Sequence, residues 1–95
     1  MIRRGSVEGQ LVNRNDKRFF GYKIAAINQT GEEIASTYTD LDGYFIIPDV
    51  VYGTVDIVVS KEGTEFAKIL DVVVNDISIY LEDEIDVTSP NPSNN

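Results

Sequence analysis

Apolar and polar residues alternate with a period of two along much of this chain, the spacing of strands with one face buried. Val55, Ile57 and Val59 share one side of a run that ends at Lys61. Near the C-terminus Ile77, Ile79 and Leu81 alternate with Ser78, Tyr80 and Glu82. Clusters of Gly, Asn, Asp and Pro interrupt the pattern at 13–16, 28–31, 40–43, 48–53, 62–63 and 75–76. Strands between such punctuation predict a sandwich or barrel. Seven strands are expected, near 5–12, 20–28, 33–39, 44–47, 54–61, 66–74 and 77–82. No segment holds a helical period for the ten or more residues a helix needs. The Ile24–Ile27 run has some helical propensity, but its β-branched ends and the nearby Gly21 and Gly31 favour strand.

Alternation also predicts the core. Val7, Gly9 and Leu11 fall on one side of the first strand, and Ile24 and Ala26 on one side of the second. Phe45 and Ile47 are expected to face Val55, Ile57 and Val59, with the acidic turn at 40–43, the strand after it and residues 54–61 forming one hairpin unit. Val72, Val74, Ile77, Ile79 and Leu81 would close the core. The stretch 66–74, FAKILDVVV, is apolar enough to need a neighbour, in its own sheet or in a partner. From Glu84 the composition turns to Pro, Ser and Asn, so one domain over 1–83 and a flexible tail or linker over 84–95 are expected.

Composition narrows the chemistry. The chain of 95 residues has no cysteine and no histidine. That removes a disulfide framework, a thiolate nucleophile, a Ser-His-Asp triad and a conventional zinc site. No cofactor is implied. The net charge of −8 disfavours nucleic acid and anionic membrane surfaces as partners, and no apolar run is long enough for a spanning helix. Residues 1–23 carry six basic against two acidic side chains, a net +4, while 24–95 carry two against fourteen, a net −12. Such asymmetry favours head-to-tail contact between copies or neighbouring domains, although charges on solvated strand faces give the same pattern. Met1 to Gly5 is basic with no apolar stretch behind it, unlike a secretory signal.

The segments SVEGQLV, GYKIAAI and TDLDGYFIIPDVVYGTVDIVVSKEG resemble carboxypeptidase regulatory-like domains, also called peptidase-associated, transthyretin-like or prealbumin-like domains. Gly9 and Leu11 fit the family's opening motif. Thr39, Asp40, Gly43, Phe45 and Ile47 fit its centre, and Gly53, Val55, Ile57 and Val59 fit the strand that follows. Gly63 with Phe66 fits the end loosely, and Val55 stands where a Tyr is usual. The resemblance implies a seven-stranded antiparallel Ig-like or prealbumin-like sandwich. It also implies an accessory or spacer role, and a cell-surface, extracellular or virion setting is expected over a cytoplasmic one. Transthyretin-like hydrolases depend on histidine, which this chain lacks. A more distant likeness is to Cna-B-type surface-protein domains, many of which form a Lys–Asn isopeptide bond. Here Lys23 and Asn75 would be the pair, with Lys23 on the second strand rather than the first.

Three groups are candidates for a site. Asp40, Asp42 and Asp49 offer oxygen ligands for Ca²⁺, against the simpler reading of Asp40 capping its own turn. Tyr38, Tyr44, Tyr52 and Tyr80 offer an amphipathic surface for a protein or a sugar, against half-buried structural roles. The acidic run Glu82, Asp83, Glu84 and Asp86 reads as a solvated terminus. The expected function is a non-catalytic accessory, spacer or assembly module with a protein partner or neighbouring domain, or a second copy. The alternative is a Ca²⁺- or glycan-binding module using the 40–43 and Tyr52 loops.

Overall fold

The computed structural model describes residues 2–14 and 20–88. Eight strands among them form two four-stranded sheets packed face to face. In chain order they are β1 (Arg4–Val12), β2 (Lys23–Ile27), β3 (Glu33–Tyr38), β4 (Tyr44–Val51), β5 (Gly53–Lys61), β6 (Thr64–Val74), β7 (Ser78–Tyr80) and β8 (Ile85–Asp86). The first sheet has the order β4-β1-β7, with β8 also on β1, and the second the order β3-β2-β5-β6. The all-β sandwich expected from the alternation is what forms.

Its pairing departs from expectation in two ways. β4 pairs with β1 and not with β5, so the 44–61 segment is not a hairpin. Only Tyr52 separates β4 from β5, and the chain crosses there from one sheet to the other. Phe45 and Ile47 therefore do meet Val55, Ile57 and Val59 in one core, from opposite layers. Second, the sandwich is not wholly antiparallel: β7 and β8 run parallel to β1 on the side away from β4. Ser6 donates to the Ile77 carbonyl, Leu81 to that of Glu8 and Val87 to that of Val12.

Pro48 was expected to end the fourth strand, yet β4 continues to Val51. The proline sits in a bulge, where β4 carries one more residue than β1 between Val50 and Ile47. Asp49 there takes φ 59°. β4 is an edge strand, where a missing N–H and an irregular ladder are tolerated. The bulge shifts the alternation, and Val50 becomes buried alongside Ile47. The β5–β6 hairpin turns on Glu62 and Gly63 at φ 52° and 84°, the two positive φ values a tight I′ turn needs.

The core otherwise follows the alternation, with Val7, Leu11, Ile24, Ala26, Val55, Ile57, Val59, Val72 and Val74 buried. Ile77 is the exception at 76% exposed, because the chain is still bending between sheets there and regular pairing starts at Ser78. Ile79 and Leu81 are half-buried against the core. Beyond the expected boundary at Asp83, Ile85 and Val87 are buried and β8 adds to the sheet. Residues 89–95 of the expected tail lie outside the described residues, as do Lys17 and Arg18 of the basic segment.

Two glycines of β1 mark close approaches. Phe45 lies directly across from Gly9, and a Cβ on Gly9 would come within 2.6 Å of its ring. A Cβ on Gly5 would meet the Asp76 carbonyl oxygen at 2.1 Å. Gly9→Ala and Gly5→Ala should each destabilise the fold by about 1–3 kcal/mol through overpacking. The Gly5 variant should suffer more, because the atom it strikes is backbone. Denaturant midpoints unchanged from the parent chain would contradict this.

Candidate functional site

The outward side of the β4-β1-β7 sheet gathers a compact group of side chains. Glu8, on the central strand, lies across from Ile46 on one side and Tyr80 on the other. One residue pair along, Gln10 lies across from Tyr44. The Tyr44 hydroxyl donates to Glu8 Oε1, and the Ser78 hydroxyl to Glu8 Oε2 at 2.8 Å. The Gln10 amide donates to the Asp42 carbonyl at 2.9 Å, tying β1 to the turn before β4. A polar central strand is thus flanked by Tyr44 and Ile46 on one side and Tyr80 on the other, with Ile46 43% and Tyr80 59% exposed.

The two hydroxyl donors stabilise the ionised form of Glu8. The Tyr44 hydrogen bond first, and the Ser78 bond second, hold its carboxyl below the usual carboxylate range, against a small opposing effect of desolvation. The same bond to Glu8, with lesser desolvation and neighbouring negative charge, pushes the Tyr44 hydroxyl above its ordinary value. Tyr44 and Tyr80 therefore differ in kind: the first is fixed at its tip, and the second keeps an exposed ring.

The other candidate residues are dispersed. Tyr38 is 64% exposed on β3 of the opposite sheet. It pairs there with Lys23, whose ammonium is 3.0 Å from Glu33 and is held above its usual range by that carboxylate. Tyr52 lines a depression of about 410 Å³ between the β2–β3 turn and the β4–β5 crossing. Tyr22 is buried, edge-on to Phe66 at 5.4 Å, with the Lys61 ammonium 4.9 Å from its ring centre.

Asp40 Oδ1 accepts from the amides of Asp42 and Tyr44 at 2.9 and 3.0 Å. One carboxylate oxygen thereby serves the turn. Asp49 lies in the bulge near the far end of β4, roughly 20 Å along the strand from Asp40. No three acidic side chains cluster as metal ligands among the described residues. The loops at 40–43 and Tyr52 also flank opposite ends of β1: Leu11 donates to Gly43, and Tyr52 to Arg3. They do not share one site. Lys23 and Asn75 are likewise apart, since Lys23 is level with Ser60 near the β5–β6 turn while Asn75 follows the other end of β6.

No family model matches the chain, and no curated protein sequence matches it. Among solved structures it is similar to one chain of an N-terminal interface mutant of the type II cohesin–X–dockerin complex Coh3ScaB–XDoc ScaA from Acetivibrio cellulolyticus. The match has a TM-score of 0.63 and 24% identity, and covers 90% of this chain. The chain spans 55% of the length of that structure's chain. The fold is an Ig-like β-sandwich.

Glu8, Ser78 and Ile46 were not foreseen as a group. Their outward alternation was readable, but nothing local to β1 announces that β7 lies beside it. The Tyr44–Glu8 bond carries a pH signature. A lowered carboxyl contributes stability that is present above its unfolded value and lost as pH falls through the folded one. A raised tyrosine contributes stability present below its unfolded value and lost as pH rises through the folded one. Tyr44→Phe should therefore lower the melting temperature most near neutrality, with the gap to wild type narrowing below about pH 4 and above about pH 10. A gap constant across that range would refute the bond's contribution.

Proposed function

We propose that this chain is a non-catalytic accessory module that joins or spaces proteins in a surface or virion assembly. It meets its partner through the outward side of the β4-β1-β7 sheet. The observation that carries the reading is the gathering of Tyr44, Ile46 and Tyr80 around Glu8 on one accessible face. Tyrosines supply contact area with a polar tip at little entropic cost, which is why interfaces favour them. Glu8 adds a charge held in a fixed position, suited to selecting a partner rather than adding affinity.

Three further facts support the reading. The similar chain comes from an assembly of cohesin, X-module and dockerin parts. The carboxypeptidase regulatory-like motif residues fall at structural positions: Gly9 under Phe45, Asp40 and Gly43 in the turn, and Val55, Ile57 and Val59 in the core. The chain also lacks the histidine and cysteine on which most acid–base and nucleophilic catalysis relies.

Site-specific photo-crosslinking in the source organism tests this, with a benzophenone side chain placed at Tyr80 or at Tyr38. The two positions are almost equally exposed, at 59% and 64%, on opposite sheets. A discrete protein adduct is expected from position 80 and not from 38. Adducts from 38 alone, or from neither, would overturn the assignment of this face.

A further inference from the structure

The two long sides of the sandwich are closed differently. On one side the edge strands β3 and β4 lie against each other. On the other, β6 is the edge of its sheet, and the strand facing it is broken: β7 ends at Tyr80 and β8 resumes at Ile85. Between them a cavity of about 340 Å³ opens to solvent. Ala67 and Ile69 of β6, with Leu81 and Ile85 across from them, form its apolar floor. Glu82, Asp83 and Glu84 form its far bank, all exposed.

The β6 edge is regular only in parts. Its ladder with β5 carries extra residues near Phe66 and near Leu70 and Asp71, where Asp71 takes φ 59° and its amide turns inward to the Asp56 carboxylate. Bulges of this kind guard an edge against indiscriminate pairing. Between them Ala67, Lys68 and Ile69 stay in regular register with Val59, Val58 and Ile57. That straight stretch is the part of β6 that borders the cavity, and the same strand exposes Leu70.

We infer that this groove takes an extended segment of a partner protein. The segment adds to β6 at Ala67–Ile69 as a further strand, setting alternate apolar side chains on the floor and Lys or Arg against Glu82, Asp83 and Glu84. Three observations choose this occupant. The open backbone edge offers main-chain hydrogen bonds to another strand. The floor accepts apolar side chains at the period of a strand. Of the four carboxylates in the lining, Asp86 is paired with Arg14 at 3.4 Å, while Glu82, Asp83 and Glu84 have no basic residue beside them in that lining, which favours a ligand that brings positive charge. Long basic side chains can lay their stems over an apolar floor and still reach such a bank. The inference goes beyond the reading above, adding a second partner surface separate from the Tyr44–Tyr80 face.

The test uses a synthetic peptide, Lys-Ile-Ser-Ile-Ser-Ile-Lys, titrated into the labelled chain while amide chemical shifts are followed. Shifts are expected around Ala67–Ile69 and 81–86, weakening as salt screens the charges. The counterpart with Glu at both ends should not bind. Glu82→Gln/Asp83→Asn/Glu84→Gln, all at exposed positions, should weaken the basic peptide about tenfold. N-methylating the isoleucine amides or the serine amides should abolish binding in one case and spare it in the other, as one-sided strand pairing requires. The inference fails if millimolar basic peptide leaves these amides unmoved or if both methylated peptides bind alike. It also fails if peptide-free protein dimerises through the groove, which would make a second copy the occupant. Shifts confined to Tyr44, Ile46 and Tyr80 would sink the groove and leave the face proposed above intact, so the two readings fail separately.

Discussion

Among the described residues, β4, β7 and β8 take their strand pairing from β1 and from no other strand. The first sheet exists because β1 is paired along both of its edges. That demand explains the composition of β1. Its inward residues must be small or branched enough to let Phe45 and the 76–77 connection approach, and glycine occupies both closest points. Its outward residues must suit a surface shared by three strands. Glu8 does this by accepting from β4 through Tyr44 and from β7 through Ser78, so one carboxylate spans the width of the sheet.

The local grammar of the fold was legible. Strand periodicity marked nearly every buried position of β1, β2, β5 and β6, and the Glu62–Gly63 and Asp40–Gly43 turns lie where their residues require. What could not be read was partnership. A two-residue period says which side of a strand is buried but not which strand lies beside it. The acidic turn, β4 and β5 look like a hairpin in sequence, yet a single residue between strands can carry the chain from one layer to the other. Parallel pairing of β7 and β8 with β1 is more hidden still, since it joins residues about seventy positions apart.

The candidate site shows the same division. Tyr44 and Tyr80 were singled out by residue type, and the fold brings them to one face, while Tyr38 and Tyr52 go elsewhere. The acidic run after Leu81 read as a solvated terminus because four carboxylates fall within five residues just before a Pro-, Ser- and Asn-rich stretch. Its apolar neighbours, Ala67 and Ile69, come from a strand with no sequential connection to it. Proline 48 misled for a different reason: it breaks central strands but not an edge strand at a bulge.

The sequence separation of β1 from β7 and β8 also orders events in time. The second sheet contains two hairpins with short turns, β2–β3 and β5–β6, whose contacts are local and can close early. The first sheet must wait for loop closure across almost the whole chain before β1 gains its second neighbour. During synthesis β1 emerges first and is completed last. Its outward polar residues, Arg4, Ser6, Glu8 and Gln10, then serve a further purpose: they keep an unpaired strand edge soluble through the interval in which it is most open to the wrong partner.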